Sequence, residues 1–576
     1  MMALAAWGGQ GSSGAESAPS PDWDRSLPPM RGLIRRFQAD QASLNHVWDV
    51  PGAPGVTRRE RRFLRRWEEA LTRVDFAGLD PAGRVNWILF REELRFRRGE
   101  LKRQEARFAE LAEFLPFDAG LARLELDRRR LRFVAAEKAA GLLHRLAGQV
   151  RDTQAAWEKR RAEAGGAASF NRVVAWRAVR RVGRLREFLR AWRRFYEGYD
   201  PLFTWWVPES ARDLDQALAR YAAFLREKIV GVKKDDPDPV IGDPIGAAAL
   251  RDALRHEFIV YTPEELIRIA EREFAWCEAE GRKAATELGF DGDWRRALEH
   301  VKQQHVPPGR QPRFIREEAR EAIRFLEDRH LVTLPPLVKE SWRMEMMSPA
   351  QQRMTPYFTG GETISVSFPT ADMKYEDKLM SLHGNNRHFC HAVVLHELIP
   401  GHHLQLFMAD RYHTERQLFT TPFLLEGWAL YWEMRFWDLG FARDAADRVG
   451  MLFWRLHRCA RIIFSLKFHL REWSAREAID FLVERVGHER RNATAEVRRS
   501  VSGEYSPLYQ AAYMLGGLQL RALREELVGG GRMTDCAFND AVLRENAIPV
   551  ELIRAVLRHD SLTPEFRATW RFYPEP

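Results

Sequence analysis

The sequence predicts a mainly α-helical protein with one small β element near residues 357–369. Three observations predict it. Apolar residues recur three or four apart over long stretches, as at Leu185, Phe188, Leu189, Trp192 and Phe195. Helix-start signals recur too: Thr262-Pro263-Glu264-Glu265 and Ser474-Ala475-Arg476-Glu477 each pair a hydroxyl N-cap with a glutamate three residues on. The main stretch that alternates instead runs through Ile364, Val366 and Phe368, with Ser365 and Ser367 between them, after Gly360-Gly361.

Taken in order, residues 1–28 are rich in Gly, Ser, Ala and Pro and are predicted disordered. Residues 29–115 read as helices, with Trp67-Glu68-Glu69-Ala70-Leu71 and Leu89-Phe90-Arg91-Glu92-Glu93-Leu94 showing the spacing. Long amphipathic helices continue over 119–200, interrupted near Gly165-Gly166. Tyr199–Pro208 reads as an aromatic turn, followed by a helix from Ala211 to about Val230. Lys233–Pro244 is charged and rich in Asp and Pro, hence a loop or hinge. It separates an N-terminal helical region, 29–232, from a second region, 245–576, although one continuous fold fits the pattern as well.

The helix opened by Thr262 runs towards Leu288, with Pro263 at its first position. The alternating stretch at 357–369 is either a core hairpin or an exposed strand of the kind that holds a peptide backbone. Beyond Glu433 the chain is helical again, over Arg455–Leu470, after Ser474, and from Pro507–Gly517 into Leu518–Leu527; Ile548-Pro549 starts the last helix.

The net charge is +9, with arginines clustered at Arg58–Arg66, Arg95–Arg103, Arg128–Arg132 and Arg172–Arg194. These arginines alternate with apolar residues at helical spacing and are interleaved with Asp and Glu, which favours solvated helix faces over a nucleic-acid surface, the alternative that the basic N-terminal helices leave open. Four scattered cysteines (Cys277, Cys390, Cys459, Cys536) form no C-x-x-C pair and fit a reducing compartment. No basic n-region with a long apolar run opens the chain, and no uncharged run reaches membrane-span length. A cytoplasmic protein without membrane contact is the expectation.

The chemistry concentrates in Val393–Gln405, V-V-L-H-E-L-I-P-G-H-H-L-Q. Two histidines and a carboxylate among apolar residues need a partner if buried, and a metal ion is one. The zinc-peptidase pattern H-E-x-x-H places its histidines four apart on one helical face, with the Glu as general base. Here the residue four after His396 is Pro400. On a straight helix His396 and His403 would lie about 10 Å apart along the axis, too far for one ion about 2 Å from each ring. Pro400 lacks an N–H and Gly401 is permissive, so the expectation is a kink or bulge that brings His402 to the ligand position, with His403 as the alternative. A buried His–Glu pair beside a kinked helix is the plain reading. The second stretch, Phe423-Leu424-Leu425-Glu426-Gly427-Trp428-Ala429-Leu430-Tyr431-Trp432-Glu433, favours ligation. Glu426 suits a third ligand from a second helix, and Glu433, on the same face, suits a group that orients a ligand histidine.

These residues resemble the bacterial domain-of-unknown-function family 885. Its hallmarks H-E-x-x-P-G-H-H-x-Q and E-G-W-A-x-Y-x-E are met by His396–Gln405 and Glu426–Glu433. Looser similarity covers Pro244-Ile245-Gly246, Thr262–Gly289, the R-x(7)-H segment ending at His469, and Pro507–Gly517. The resemblance implies a large helical zincin-like fold around a central cleft, with zinc and peptide hydrolysis. It departs from the family pattern at Ser465, where an Asp is usual, and at Asn539 in Phe538-Asn539-Asp540, where a His is usual.

The expectation is a zinc-dependent peptidase. His396, His402 and Glu426 hold the Zn²⁺, Glu397 is the general base, and a short peptide is the substrate. The helical zincins it resembles supply oxyanion donors from a Tyr and a His downstream of the third ligand; here the candidates are Tyr513 and His469. The same constellation would serve a hydrolase or tailoring enzyme acting on a non-peptide amide, and a catalytically inactive binding protein on the same scaffold is the remaining alternative.

Overall fold

The computed structural model describes residues 28–163, 171–234, 236, 239–354, 357–503 and 505–574. The predicted disordered N-terminus, apart from Pro28, and the Gly165-Gly166 interruption lie outside the described residues. The fold is mainly α, about 70% helical. The N-terminal helices are α1 (Pro29–Trp48), α2 (Val56–Thr72), α3 (Pro81–Glu110), α4 (Asp118–Arg129), α5 (Ala136–Glu163), α6 (Arg172–Tyr196) and α7 (Pro201–Phe224). Then come α8 (Ala247–His256), α9 (Pro263–Glu287), α10 (Trp294–Lys302), α11 (Gln311–Asp328) and α12 (Pro336–Ser341). The middle of the chain holds β1 (Arg343–Met346), α13 (Pro349–Met354), β2 (Thr363–Val366), α14 (Tyr375–Gly384), α15 (Arg387–Glu397), α16 (His402–Ala409) and α17 (Pro422–Asp438). The chain continues with α18 (Ala445–His469), α19 (Ala475–Phe481), α20 (Arg490–Val501), α21 (Tyr509–Arg524), α22 (Asp535–Arg544) and α23 (Val550–Arg558).

Local signals set the helix starts. The Thr262 and Ser474 capping boxes both form, each with its reciprocal glutamate bond. Pro549 caps the last helix as expected. The aromatic turn expected at Tyr199–Pro208 is instead the first part of α7. Asp200 caps it, accepting from Leu202 N and Phe203 N, and Pro201 sits at the first position. Pro208 is carried inside this helix.

Two apolar cores organise the chain, and their boundary differs from the expected split at the hinge. The smaller core collects α4–α7 around Leu143, Leu185, Trp192 and Leu214. The larger core gathers helices from the 245–576 region and also takes Phe37, Phe63 and Phe90 from α1–α3. The helix stripe ends sooner than expected too: Trp192 is buried, whereas Phe195 is exposed beneath the Arg128 guanidinium.

The β element is smaller than the expected 357–369. Only Thr363–Val366 forms a strand, paired in parallel with β1 from Arg343↔Thr363 to Met346↔Val366. On its other side Thr359 makes an antiparallel bridge to Ser365. Phe368 falls outside the ladder, and its N–H donates to Gln352 Oε1. This small sheet stands beside α15. Gly360 packs so close to Glu397 that a Cβ there would lie 2.5 Å from the Glu397 carbonyl oxygen, and Gly361 N donates to that oxygen.

Candidate metal centre

The expected kink is a full break. Helix α15 ends at Glu397, the Ile399–Pro400 peptide is cis, and α16 begins at His402. The turn is too tight for a side chain at Gly401, where a Cβ would lie 1.8 Å from the carbonyl oxygen of His396. The indole of Trp428 donates to Pro400 O at 2.8 Å, and Gln405 Nε2 donates to Leu424 O at 2.9 Å, so both sides of the break are tied to α17.

The break brings His402, not His403, to His396. Their rings stand perpendicular with centroids 4.9 Å apart. His403 faces the other way: its Nε2 lies 2.8 Å from Val338 O and 3.4 Å from Ser341 Oγ, and burial pushes its imidazole down. From α17, Glu426 Oε2 lies 3.3 Å from His402 Nε2 and 3.6 Å from His396 Nε2. A tetrahedral ion with bonds of about 2.0–2.1 Å sets its ligand atoms roughly 3.3–3.4 Å apart. Glu426 Oε2 is buried with no hydrogen-bond partner among the described residues. An orphaned carboxylate oxygen between two imidazole nitrogens at these separations fits a three-ligand metal site.

The supporting contacts come from the same helices. His396 Nδ1 meets Glu433 Oε1 at 2.6 Å, one turn pair along α17 from Glu426, which fixes the ring and leaves Nε2 for a ligand. Burial opposes charge on His396, but Glu426 and Glu433 carry its imidazole up to about 9. Burial likewise opposes charge on Glu426, yet His402 and His396 hold its carboxyl well below the usual range. Glu426 Oε1 accepts from the Tyr509 hydroxyl at 2.5 Å. Close contact of α17 with α21 permits this: a Cβ on Gly516 would lie 1.9 Å from Phe423 O, and one on Gly427 2.6 Å from the Gly516 backbone.

Glu397, His396, His402 and Glu426 line a cavity of about 270 Å³ with Tyr509 and Tyr513. Burial lifts the Glu397 carboxyl above its ordinary range, against the pull of His396 and His402. Tyr513 stacks on His396 with ring centroids 6.2 Å apart, and burial pushes its phenol up to about 12. His469 is not brought to this cavity. It is buried at the end of α18, eight residues past Arg461, and neither ring nitrogen has a partner among the described residues.

Two other groups of acidic and histidine residues lie close enough to hold a metal, Glu318–Glu321–His391 and His388–Asp444–Asp447. A cation already serves both, because the Arg443 guanidinium bonds Asp447 and Glu318.

The family described as "Bacterial protein of unknown function (DUF885)" matches residues 37–557. The chain belongs to this family. No curated protein matches it significantly. Among solved structures it is similar to "a putative lipoprotein of unknown function from Shewanella oneidensis". That similarity has a TM-score of 0.67 at 16% identity and covers 92% of this chain and 100% of that one. It is also similar to "the putative lipoprotein from Colwellia psychrerythraea", with a TM-score of 0.56 at 16% identity over 92% of this chain and 99% of that one. These likenesses show a shared fold. Among the described residues no helix is long and apolar enough to cross a membrane.

The two departures from the DUF885 pattern fall outside the cavity. Ser465 is buried and its Oγ is unpartnered among the described residues, while Asn539 Nδ2 ties to Leu331 O. Sequence reading missed Tyr509 as the partner of Glu426; its signal was the spacing of four from Tyr513 on one helix. It also missed a basic wall, Arg458 and Arg461 from α18 with Glu496 and Arg499 from α20.

Proposed function

We propose that this protein is a zinc-dependent hydrolase that cleaves amide bonds in short peptides. The observation that carries the reading is the buried, unpartnered Glu426 Oε2 lying 3.3 Å and 3.6 Å from the two histidine Nε2 atoms. His396, His402 and Glu426 would hold the ion. When bound, zinc supplies a Lewis acid that lowers the pKa of a water towards ~7. Glu397, in the same cavity, takes the proton of the attacking water and returns it to the leaving amine. Glu433 keeps the His396 ring in the orientation that frees Nε2. Tyr513, stacked on His396, donates its hydroxyl hydrogen to the oxygen on which charge develops. A cavity of about 270 Å³ suits short substrates.

The test is zinc content followed by turnover of a mixed peptide library. Purified protein should carry about one zinc per chain. Glu397→Gln should keep the metal and the fold while hydrolysis falls by ~10²–10⁴. Near-normal hydrolysis by that variant, or full zinc occupancy in Glu426→Ala, would overturn the reading.

The proposed compartment is the cytoplasm, supported by cysteines that are all unpaired. The lipoprotein names of the two similar structures favour the cell envelope instead. Fractionation of cells producing the full chain decides between them.

A further inference from the structure

The cavity wall also carries charged groups that the hydrolytic reading does not use. Arg458 and Arg461 reach it from α18 and Arg499 from α20. Arg458 and Arg461 are both about one-twentieth exposed, 4% and 5%. Buried guanidinium groups are ordinarily matched by carboxylates. Here three guanidinium groups meet two, Glu496 and Glu433, and Glu433 is already taken by His396.

The match is incomplete in detail as well. Arg461 bonds Glu496 Oε1 through Nε at 2.7 Å, and this is its only side-chain hydrogen bond among the described residues. Arg499 approaches Glu496 Oε2 no closer than 3.4 Å, and Arg458 reaches Glu433 at 3.4 Å. The Nε atoms of Arg458 and Arg499 are buried without a partner among the described residues. Aromatic rings hold the three groups in place: Arg461 sits 4.4 Å and Arg458 5.3 Å from the Tyr513 ring centroid, and Arg499 5.4 Å from that of Tyr505. After burial itself, the same three guanidinium groups help to keep His457, behind this wall, well below its usual range.

We infer that Arg458, Arg461 and Arg499 form a carboxylate-binding subsite, so that the substrate carries a free carboxylate one or two residues from the amide that is cleaved. Guanidinium forks match a carboxylate through paired N–H donors. One tyrosine ring separates Arg461 from His396, because Tyr513 stacks on both. An extended chain advances about 3.3–3.6 Å per residue, which places a carboxylate near the arginines within one or two residues of the metal end. A C-terminal α-carboxylate and an acidic side chain offer the same chemistry. The inference takes the identity of the cleaved bond from the hydrolase reading; the subsite itself stands on the arginines.

Binding is measured by calorimetry on full-length Glu397→Gln protein, so no turnover is needed. Three probes are used: N-acetyl-tetra-alanine with a free C-terminus, its C-terminal amide, and the amide with Asp at the last position. The free acid should bind at least ~10-fold tighter than the plain amide, as charge-assisted bonds allow. The Asp-containing amide tells whether a side-chain carboxylate serves equally. Arg499→Met and Arg461→Lys should each bring acid and amide within about 3-fold of each other with zinc content unchanged; Tm should hold in Arg499→Met, since Arg499 is the most exposed of the three, and fall in Arg461→Lys, which loses the buried bond to Glu496. Equal binding of acid and amide, no measurable binding of the acid at millimolar concentration, or equal loss of both in Arg499→Met would overturn the subsite. If the acid is preferred and yet wild-type zinc protein cleaves none of the probes or a mixed library, the hydrolase reading fails and the subsite remains.

Discussion

At the scale of single residues, the choice between His402 and His403 turns on what each ring already bonds. His403 is committed to Val338 O, whereas His402 shares Glu426 with His396. His402→Ala should therefore lose most bound zinc while His403→Ala keeps it, as metal analysis of the purified variants will show. The reverse result would place the ligand on the other side of the break. The two tyrosines divide in the same way. Tyr509 holds Glu426, so Tyr509→Phe should weaken zinc retention. Tyr513 stacks on His396 and makes no such bond, so Tyr513→Phe should lower kcat by ~10²–10³ with KM nearly unchanged and zinc intact. A raised KM with normal kcat would make Tyr513 a substrate contact instead. The sequence showed His396, Glu397, His402, Glu426 and Glu433 because they sit in two short runs with recognisable spacing. Tyr509 was marked only by its spacing of four from Tyr513, and its partner lies 83 residues away.

At the scale of elements, local signals were legible and pairings across the chain were not. The capping boxes at Thr262 and Ser474 depend on residues three apart, and both form. Strand β1, Arg-Met-Glu-Met, alternates over only four residues and carries no β-branched or aromatic residue, so its pairing with β2 is what marks it as a strand. The aromatic run at Tyr199–Pro208 reads as a turn, but a proline at the first helical position and an Asp cap before it start α7 there. Arg461 opens the R-x(7)-H segment, yet its place in the cavity wall depends on how α18 meets α20 and α21. The α17–α21 contact is the element that holds the site together. Gly427 and Gly516 leave no room for a Cβ between the two backbones. Gly516→Ala should force the helices apart, lowering stability by at least the ~1–3 kcal/mol typical of overpacking and weakening zinc binding as Glu426 moves. Gly183→Ala, inside α6 where a Cβ meets nothing within 4 Å, should leave zinc binding unchanged and raise stability by about 0.5–1 kcal/mol in the same thermal melts. Normal zinc and Tm in Gly516→Ala would mean that the contact is not the spacer of the site.

At the scale of the whole molecule, the question is how a fold with so many buried titratable groups responds to acid. His469 tests it most directly, because the resemblance to helical zincins made it an oxyanion donor and the structure leaves it away from the cavity. The family's usual Asp is Ser465 here, four residues before it on α18, so the imidazole has no carboxylate one turn before it. Burial pushes it down to about 4, with Asp243 favouring its charge and Arg107 opposing it. His488 behaves alike and is pushed down to about 3. Both are neutral in the folded and unfolded chain above pH ~6.5, so that part of the stability is fully present there. Below that pH the unfolded chain takes up protons that the folded chain refuses until about 4 and 3, and stability falls by at most about 1.4 kcal/mol per pH unit for each histidine. For His469 the total is on the order of 3 kcal/mol. The contribution of these two histidines should be nearly flat from pH 7 to 8 and fall from about pH 6 to 4, and the difference in Tm between wild type and a His469 variant isolates one of them. His469→Leu removes two unpartnered buried nitrogens at similar volume, so Tm at pH 7 should hold or rise and the acid slope should be shallower by about one proton. Acid-sensitive carboxylates such as Glu496, held down to about 2 once its arginines overcome burial, remain in both proteins and cancel in the difference. An unchanged acid slope would mean that His469 is not kept neutral by burial. A fall in kcat at pH 7.5 with Tm and zinc intact would return His469 to catalysis, against its placement at the far end of α18.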